Sequence, residues 1–231
     1  MATRLYHEST TYSAFTPAVD AGWSLTAGGF VRGRMTTASA GTASTNIDFN
    51  DADATNLSIV VYQGVSLALT AGQTITGGQA MKGQARWRQF ALTNNLFPAY
   101  VLRVIASDGT TVRKTMLALT LDNNEMHSTA LRNRAFTATS AATNYTTVAG
   151  DRLVIELGGS GDPDAAGTHQ IRLTVGDAQA SDLPEDDSDQ TDLRPWFELA
   201  DTLTFVADGG SRLIGPSSLI ASNLIHGRLA G

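Results

Sequence analysis

Tyr100-Val101-Leu102-Arg103-Val104-Ile105-Ala106-Ser107-Asp108-Gly109-Thr110-Thr111-Val112-Arg113-Lys114-Thr115-Met116 is the stretch that decides the fold class. Two runs rich in β-branched and aliphatic residues flank Ser107-Asp108-Gly109-Thr110, and Asp-Gly between such runs is the strongest short-range hairpin signal, because glycine adopts positive φ without a steric penalty. The same texture recurs along the chain. Residues 57–63, 112–120, 152–157, 170–175 and 196–205 are short segments of Val, Ile, Leu, Thr and aromatic residues, separated by Gly, Asp and Asn. Apolar side chains at every second position mark half-buried strands, and about ten such segments with no helical periodicity predict an all-β protein, an antiparallel β-sandwich of jelly-roll type.

Alternation also predicts which side chains point inward. In Arg152-Leu153-Val154-Ile155-Glu156-Leu157 the inward set is Leu153, Ile155 and Leu157, because the opposite parity buries Arg152 and Glu156. In Ile171-Arg172-Leu173-Thr174-Val175 it is Ile171, Leu173 and Val175. Three segments read differently. Residues 73–89 fit either a bulged long strand or a hairpin, since Gly77, Gly78 and Gly83 interrupt strand-like pieces. Residues 92–98 and 158–167 read as loops, the second because it holds four glycines and Pro163.

Composition narrows the class of function. The chain has 231 residues, 42% hydrophobic, 16% charged and 7% aromatic, with no Cys, enough for one sizeable core. The expected organisation is a jelly-roll domain over 1–207 followed by an apolar extension or arm over 208–231. Absence of Cys excludes disulfide scaffolds, thiolate metal sites and thiol nucleophiles. A net charge of -6 argues against a nucleic-acid partner, which requires a basic face to displace counterions. No apolar run is long enough for a membrane-spanning helix, so no membrane partner is expected, and the opening Met-Ala-Thr-Arg-Leu-Tyr-His-Glu lacks the apolar stretch of a signal peptide.

Four features are candidates for chemistry or recognition. Asp182, Glu185, Asp186, Asp187, Asp189 and Asp192 form an acidic loop holding six of the 22 acids. Clustered carboxylates suit calcium, and Asp187, Asp189 and Glu198 fall at positions one, three and twelve of an EF-hand count, but Asp192 stands where that loop requires glycine. A solvated loop that shields an edge strand, or a contact with a basic partner, are the other readings. His7, His127, His169 and His226 lie in no metal-ligand spacing, and no nucleophile elbow, Walker loop or dinucleotide fingerprint occurs, so no cofactor, metal or catalytic residue is expected. Trp87, between Arg86 and Arg88, is the aromatic expected to contact a glycan or a protein partner, although a core-facing Trp87 puts both arginines outside. Trp196 and Tyr62, inside alternating segments, are expected in the core. Leu213, Ile214, Leu219, Ile220, Leu224 and Ile225 near the end are too apolar for a solvated tail and are expected to contact another subunit or partner, or to fold back on their own domain.

The order of several blocks resembles a family of tailed-bacteriophage virion structural proteins. The blocks are Met1-Ala2-Thr3-Arg4-Leu5-Tyr6, Pro17-Ala18-Val19-Asp20-Ala21-Gly22-Trp23, Arg32-Gly33-Arg34-Met35-Thr36-Thr37, Ile75-Thr76-Gly77-Gly78-Gln79-Ala80-Met81-Lys82-Gly83-Gln84, Gly150-Asp151-Arg152-Leu153-Val154-Ile155-Glu156 and Asp182-Leu183-Pro184-Glu185-Asp186 leading to Pro195-Trp196. They cover about residues 1–200; 208–231 lies outside the pattern. The resemblance implies a non-enzymatic particle component. The expectation is a capsid decoration (cement) protein, located in virions assembled in the bacterial cytoplasm. It would be a homo-oligomer such as a trimer, with phage capsid or neck and tail proteins as partners. A carbohydrate-binding β-sandwich recognising host glycans is the alternative, and a glycosidase-like enzyme with two converging carboxylates a third.

Overall fold

The alternating segments form fifteen strands: β1 (Thr3–Thr11), β2 (Leu25–Thr36), β3 (Thr45–Asp51), β4 (Ser58–Ser66), β5 (Ala68–Leu69), β6 (Thr74–Ile75), β7 (Ala80–Gln89), β8 (Leu96–Ile105), β9 (Val112–Leu121), β10 (Arg132–Thr139), β11 (Tyr145–Thr146), β12 (Arg152–Gly161), β13 (His169–Val175), β14 (Trp196–Leu199) and β15 (Phe205–Val206). They belong to a computed structural model that describes residues 2–38, 41–51, 58–90, 95–161, 169–176, 181–187 and 194–206. Among the described residues there is no helix, as the sequence leads one to expect. The excess over about ten strands comes partly from two-residue pairs, β6 with β11 and β5 with β15.

Eleven strands make one continuous sheet in the order β3-β13-β7-β14-β1-β2-β4-β12-β8-β9, with β10 added on β7. The sheet folds over near β1 and β2, where the register shifts between His7 and Thr11, and its two halves face each other as a sandwich. Every ladder of this sheet is antiparallel except β2–β4. Side chains meet across the core: Trp87 on β7 stands edge-on to Tyr100 on β8 at 6.4 Å, and Phe136 on β10 lies 3.9 Å from Tyr100. Leu153, Ile155, Leu157, Ile171, Leu173 and Val175 are buried as alternation requires, and so are Tyr62 and Trp196.

The hairpin read from Asp108-Gly109 joins β8 to β9, with Gly109 at φ 73°. The Asp108 carboxylate accepts the Thr111 hydroxyl at 2.6 Å and the amides of Thr110 and Thr111 at 2.8 Å, which holds its pKa well below the ordinary carboxylate range. Other boundaries differ from the sequence reading. Leu96–Pro98 belong to β8 and not to a loop, with Pro98 near the strand start opposite Gly159. Gly158–Gly161 continue β12. Segment 73–89 is neither one bulged strand nor one hairpin, because β6 pairs with β11 while β7 pairs with β10, β13 and β14. Segment 196–205 breaks after Leu199.

The largest departure is on β12, where eight consecutive residues, Leu153 to Ser160, are buried on both faces. Residues 12–24, between β1 and β2, lie as a strap over the outer face of β4, β12 and β8. Phe15 packs there with Val65, Ile105 and Val154, and Trp23 with Val60, Ala99 and Val101. Glu156, expected outside, is wholly buried beneath the strap. Its carboxylate accepts the Trp23 indole N–H at 2.7 Å, the Gln63 amide at 2.9 Å and the Asp20 backbone N–H at 3.1 Å, and it pairs with the Arg103 guanidinium. A buried carboxylate is tolerated only with such a full complement of donors.

Candidate functional site

At the other end of the sheet no segment among the described residues straps the outer face as 12–24 does. Ile47 and Phe49 of β3 point into the core, so Asp48 and Asn50 point outward. On β13 the core-facing Ile171, Leu173 and Val175 leave Gln170 and Arg172 outside. Trp87 and Gln89 of β7 are buried, which turns Arg88 and the next residue, Phe90, outward. Register brings these six together, since Arg172 stands opposite both Asp48 and Arg88 and Gln170 stands opposite Asn50. The Phe90 amide donates to the Gln170 carbonyl at 3.2 Å. The outcome is two short rows running across three strands, Asp48-Arg172-Arg88 and Asn50-Gln170-Phe90.

Arg172 donates through Nε and Nη2 to the two Asp48 oxygens, each at 2.6 Å, a bidentate pair that raises the guanidinium pKa above its ordinary value. Its guanidinium lies 5.2 Å from the Phe90 ring centre, and that of Arg88 lies 4.7 Å from it. Arg88 donates Nε to the Ser128 carbonyl at 3.4 Å. Among the described residues no carboxylate lies within ion-pair distance of Arg88. Beside these rows Asp48, Phe49, Asn50, Phe90 and Gln170 line a surface pocket of about 220 Å³. Its walls supply the Phe90 ring, two amides and a carboxylate, the mixture of apolar wall and few polar anchors that suits a small ligand.

The residues singled out in the sequence fall elsewhere. Trp87 is fully buried, so its expected exposure to a glycan or partner is corrected: it faces Tyr100, and only Arg88 of its two arginine neighbours reaches the surface. Arg86 is buried as well, directing Nη2 toward the Gly176 carbonyl at 3.4 Å. Among the described residues of the acidic loop, Asp182, Glu185 and Asp187 pair with basic side chains. Asp182 pairs with Arg4 at 2.8 Å and accepts the Tyr6 hydroxyl at 3.0 Å, and Glu185 pairs with Lys82 at 3.0 Å. Asp187 pairs with Arg134 at 3.2 Å and accepts the Ala135 amide at 3.3 Å on the free edge of β10, which is the edge-shielding role. Glu198, the twelfth position of the calcium count, pairs with Arg4 at 2.9 Å. Asp186 lies in the described part of the loop, whereas Asp189 and Asp192 lie outside the described residues, as do His226, Leu213, Ile214, Leu219, Ile220, Leu224 and Ile225. His7 is buried edge-on to Tyr62 at 5.7 Å, and burial lowers its pKa to about 4. His127 is a turn residue whose Nδ1 accepts the amides of Thr129 and Ala130 at 3.2 Å.

No protein-family model and no curated protein sequence matches the chain. Solved structures do. A selenomethionine-labelled α-amino acid ester hydrolase is similar over 86% of this chain and 36% of its own, at 12% identity and a TM-score of 0.49. A CocE/NonD family hydrolase from Staphylococcus aureus is similar over 87% of this chain and 36% of its own, at 6% identity and a TM-score of 0.43. The VP2 subviral particle of infectious bursal disease virus is similar over 82% of this chain and 47% of its own, at 11% identity and a TM-score of 0.30. The expectations of a non-enzymatic phage virion protein, cement or otherwise, and of a chain that is not an enzyme are corrected on this finding: the two structures of higher TM-score are hydrolases, and the viral likeness is lower. This chain spans about a third of each hydrolase, and the likeness concerns the β-rich fold.

Proposed function

We propose that the chain is a small-ligand-binding β-sandwich domain whose site is the outer face of β3, β13 and β7 at Phe90. The observation that carries this reading is the pocket of about 220 Å³ between Asp48, Phe49, Asn50, Phe90 and Gln170, on a sheet face that leaves polar and aromatic side chains uncovered. Rigid strands hold these groups in register, so the site is set by the ladder before any ligand arrives. The volume suits a small molecule or a single residue of a larger one.

The test is an amide-resolved NMR titration with a panel of small aromatic acids, amines and amides. Shifts clustered at Asn50, Phe90 and Gln170, and abolished by Phe90→Ala in a variant with an otherwise unchanged spectrum, support the reading. Shifts clustered elsewhere, or none at these residues for any probe, overturn it.

A further inference from the structure

The charges of the open face do not balance among its own groups. Arg172 and Asp48 neutralise each other through two hydrogen bonds of 2.6 Å. Arg88 stands opposite Arg172 in the ladder, so one cation beside the pocket has no matching carboxylate among the described residues. Two guanidiniums facing each other across neighbouring strands repel, and an anion placed between them relieves that repulsion. The chain as a whole carries a net charge of -6, so this excess of positive charge is local and runs against the average.

Arg88 is placed to use the excess. Its Nε is engaged by the Ser128 carbonyl at 3.4 Å and its plane packs at 4.7 Å from the Phe90 ring centre, which fixes the side chain beside the pocket wall. Neither contact engages its terminal nitrogens, and these are the fork that matches a carboxylate. Apolar surface lies next to it in Phe90, and amide donors in Asn50 and Gln170.

We infer that the ligand of this site is a carboxylate joined to a flat apolar group, with Arg88 as the residue that recognises the charge. The inference rests on the proposed binding site and adds the ligand class. The carboxylate pairs with the terminal nitrogens of Arg88, the apolar part fills the pocket against Phe90, and the amides of Asn50 and Gln170 orient any further polar group. A free aromatic acid and the terminal residue of a peptide share this chemistry.

The experiment is an NMR titration of the full chain with benzoate, benzamide, benzylammonium and N-acetylphenylalaninate at pH 7 and low salt. Benzoate is expected to move the resonances of Asn50, Phe90 and Gln170, with binding about tenfold weaker in Arg88→Gln, partly retained in Arg88→Lys, and reduced by added salt. Tighter binding of N-acetylphenylalaninate than of benzoate identifies a peptide end as the source, and the reverse a free acid. If benzamide or benzylammonium binds at these residues as tightly as benzoate, or if Arg88→Gln binds benzoate as the parent does while keeping the parent's spectrum, the carboxylate inference fails and the site stands. If no probe moves these resonances, both fail.

Discussion

Two arginine–carboxylate pairs sit on outer faces of the same sandwich, and their surroundings differ. Arg103 and Glu156, on β8 and β12, are 5% and 0% exposed, whereas Arg172 and Asp48, on β13 and β3, are 27% and 51% exposed. Strand alternation treats the two alike, since each pair points away from the core. The strap makes the difference. Residues 12–24 bury the first pair under Phe15 and Trp23 and supply the Asp20 amide and the Trp23 indole as donors, so its charge holds one segment of chain on another. The second pair has no such cover and stays in contact with water, where an ion pair contributes little to stability but remains available to a ligand. The same two residue types hold the fold together where the chain covers them and stay solvated where it does not.

The most severe way to probe this contrast is to remove the covered carboxylate. Glu156→Ala leaves Gln63 and the Trp23 indole without their acceptor and Arg103 with only Ala18 and Asp20, and a loss of about 3–5 kcal/mol in urea unfolding is expected, with the strap released as seen by Trp23 fluorescence. A loss below 1 kcal/mol would remove the distinction between the pairs. Acid has to be kept out of that measurement because of His7. Its folded pKa of about 4 lies below the unfolded value of 6.5, so the unfolded chain binds the proton first. Stability is full above pH 6.5 and falls progressively as the pH drops toward 4, by about 3 kcal/mol in all. His7→Phe is expected to flatten this part of the pH profile; an unchanged profile would assign it to other groups.

Gly158→Ala addresses the strap through packing instead of charge. A Cβ at this position would lie 2.0 Å from the Ile59 carbonyl oxygen and 2.6 Å from the Trp23 ring, and the first of these is backbone that cannot swing aside. A cost of about 1–3 kcal/mol is expected, read as a lower urea midpoint, together with a looser strap. The smallest effect belongs to the open face. Asp48→Ala should change stability by less than about 1 kcal/mol, because the pair it breaks is solvated. A larger loss would place Asp48 with Glu156 as a structural carboxylate and would count against the open-face site.

Much of the sandwich was legible in the chain. Segments 112–120, 152–157 and 170–175 read as strands and form β9, β12 and β13, and Asp108-Gly109 turns where its residue types say it should. Strand β3 was not, because Thr45-Asn46-Ile47-Asp48-Phe49-Asn50-Asp51 is rich in Asn and Asp, which are depleted in strands, and only pairing with β13 over seven positions makes it one. The candidate site was missed for the same reason. Parity alone places Gln170 and Arg172 outward, but their partners Asp48 and Asn50 come from a strand that propensity hides, and Phe90 lies just past the end of β7. Trp87 drew attention through its arginine neighbours, although its own parity, shared with Ala85 and Gln89, is that of the core.

By itself the sequence determined the all-β class, the β8–β9 hairpin, the inward sets of β12 and β13, and the exclusion of thiol chemistry. All of these follow from properties of neighbouring residues: side chains alternate along an extended backbone, glycine permits a turn, and a chain without Cys has no thiol. Only the tertiary structure decided which outer face is covered. Glu156 lies 133 residues beyond the indole that caps it and Arg172 lies 124 residues beyond its carboxylate, and no local pattern encodes contacts of that range. Whether a charge on a strand is buried, and so must be saturated, or exposed, and so can bind, depends on what the rest of the chain places over it.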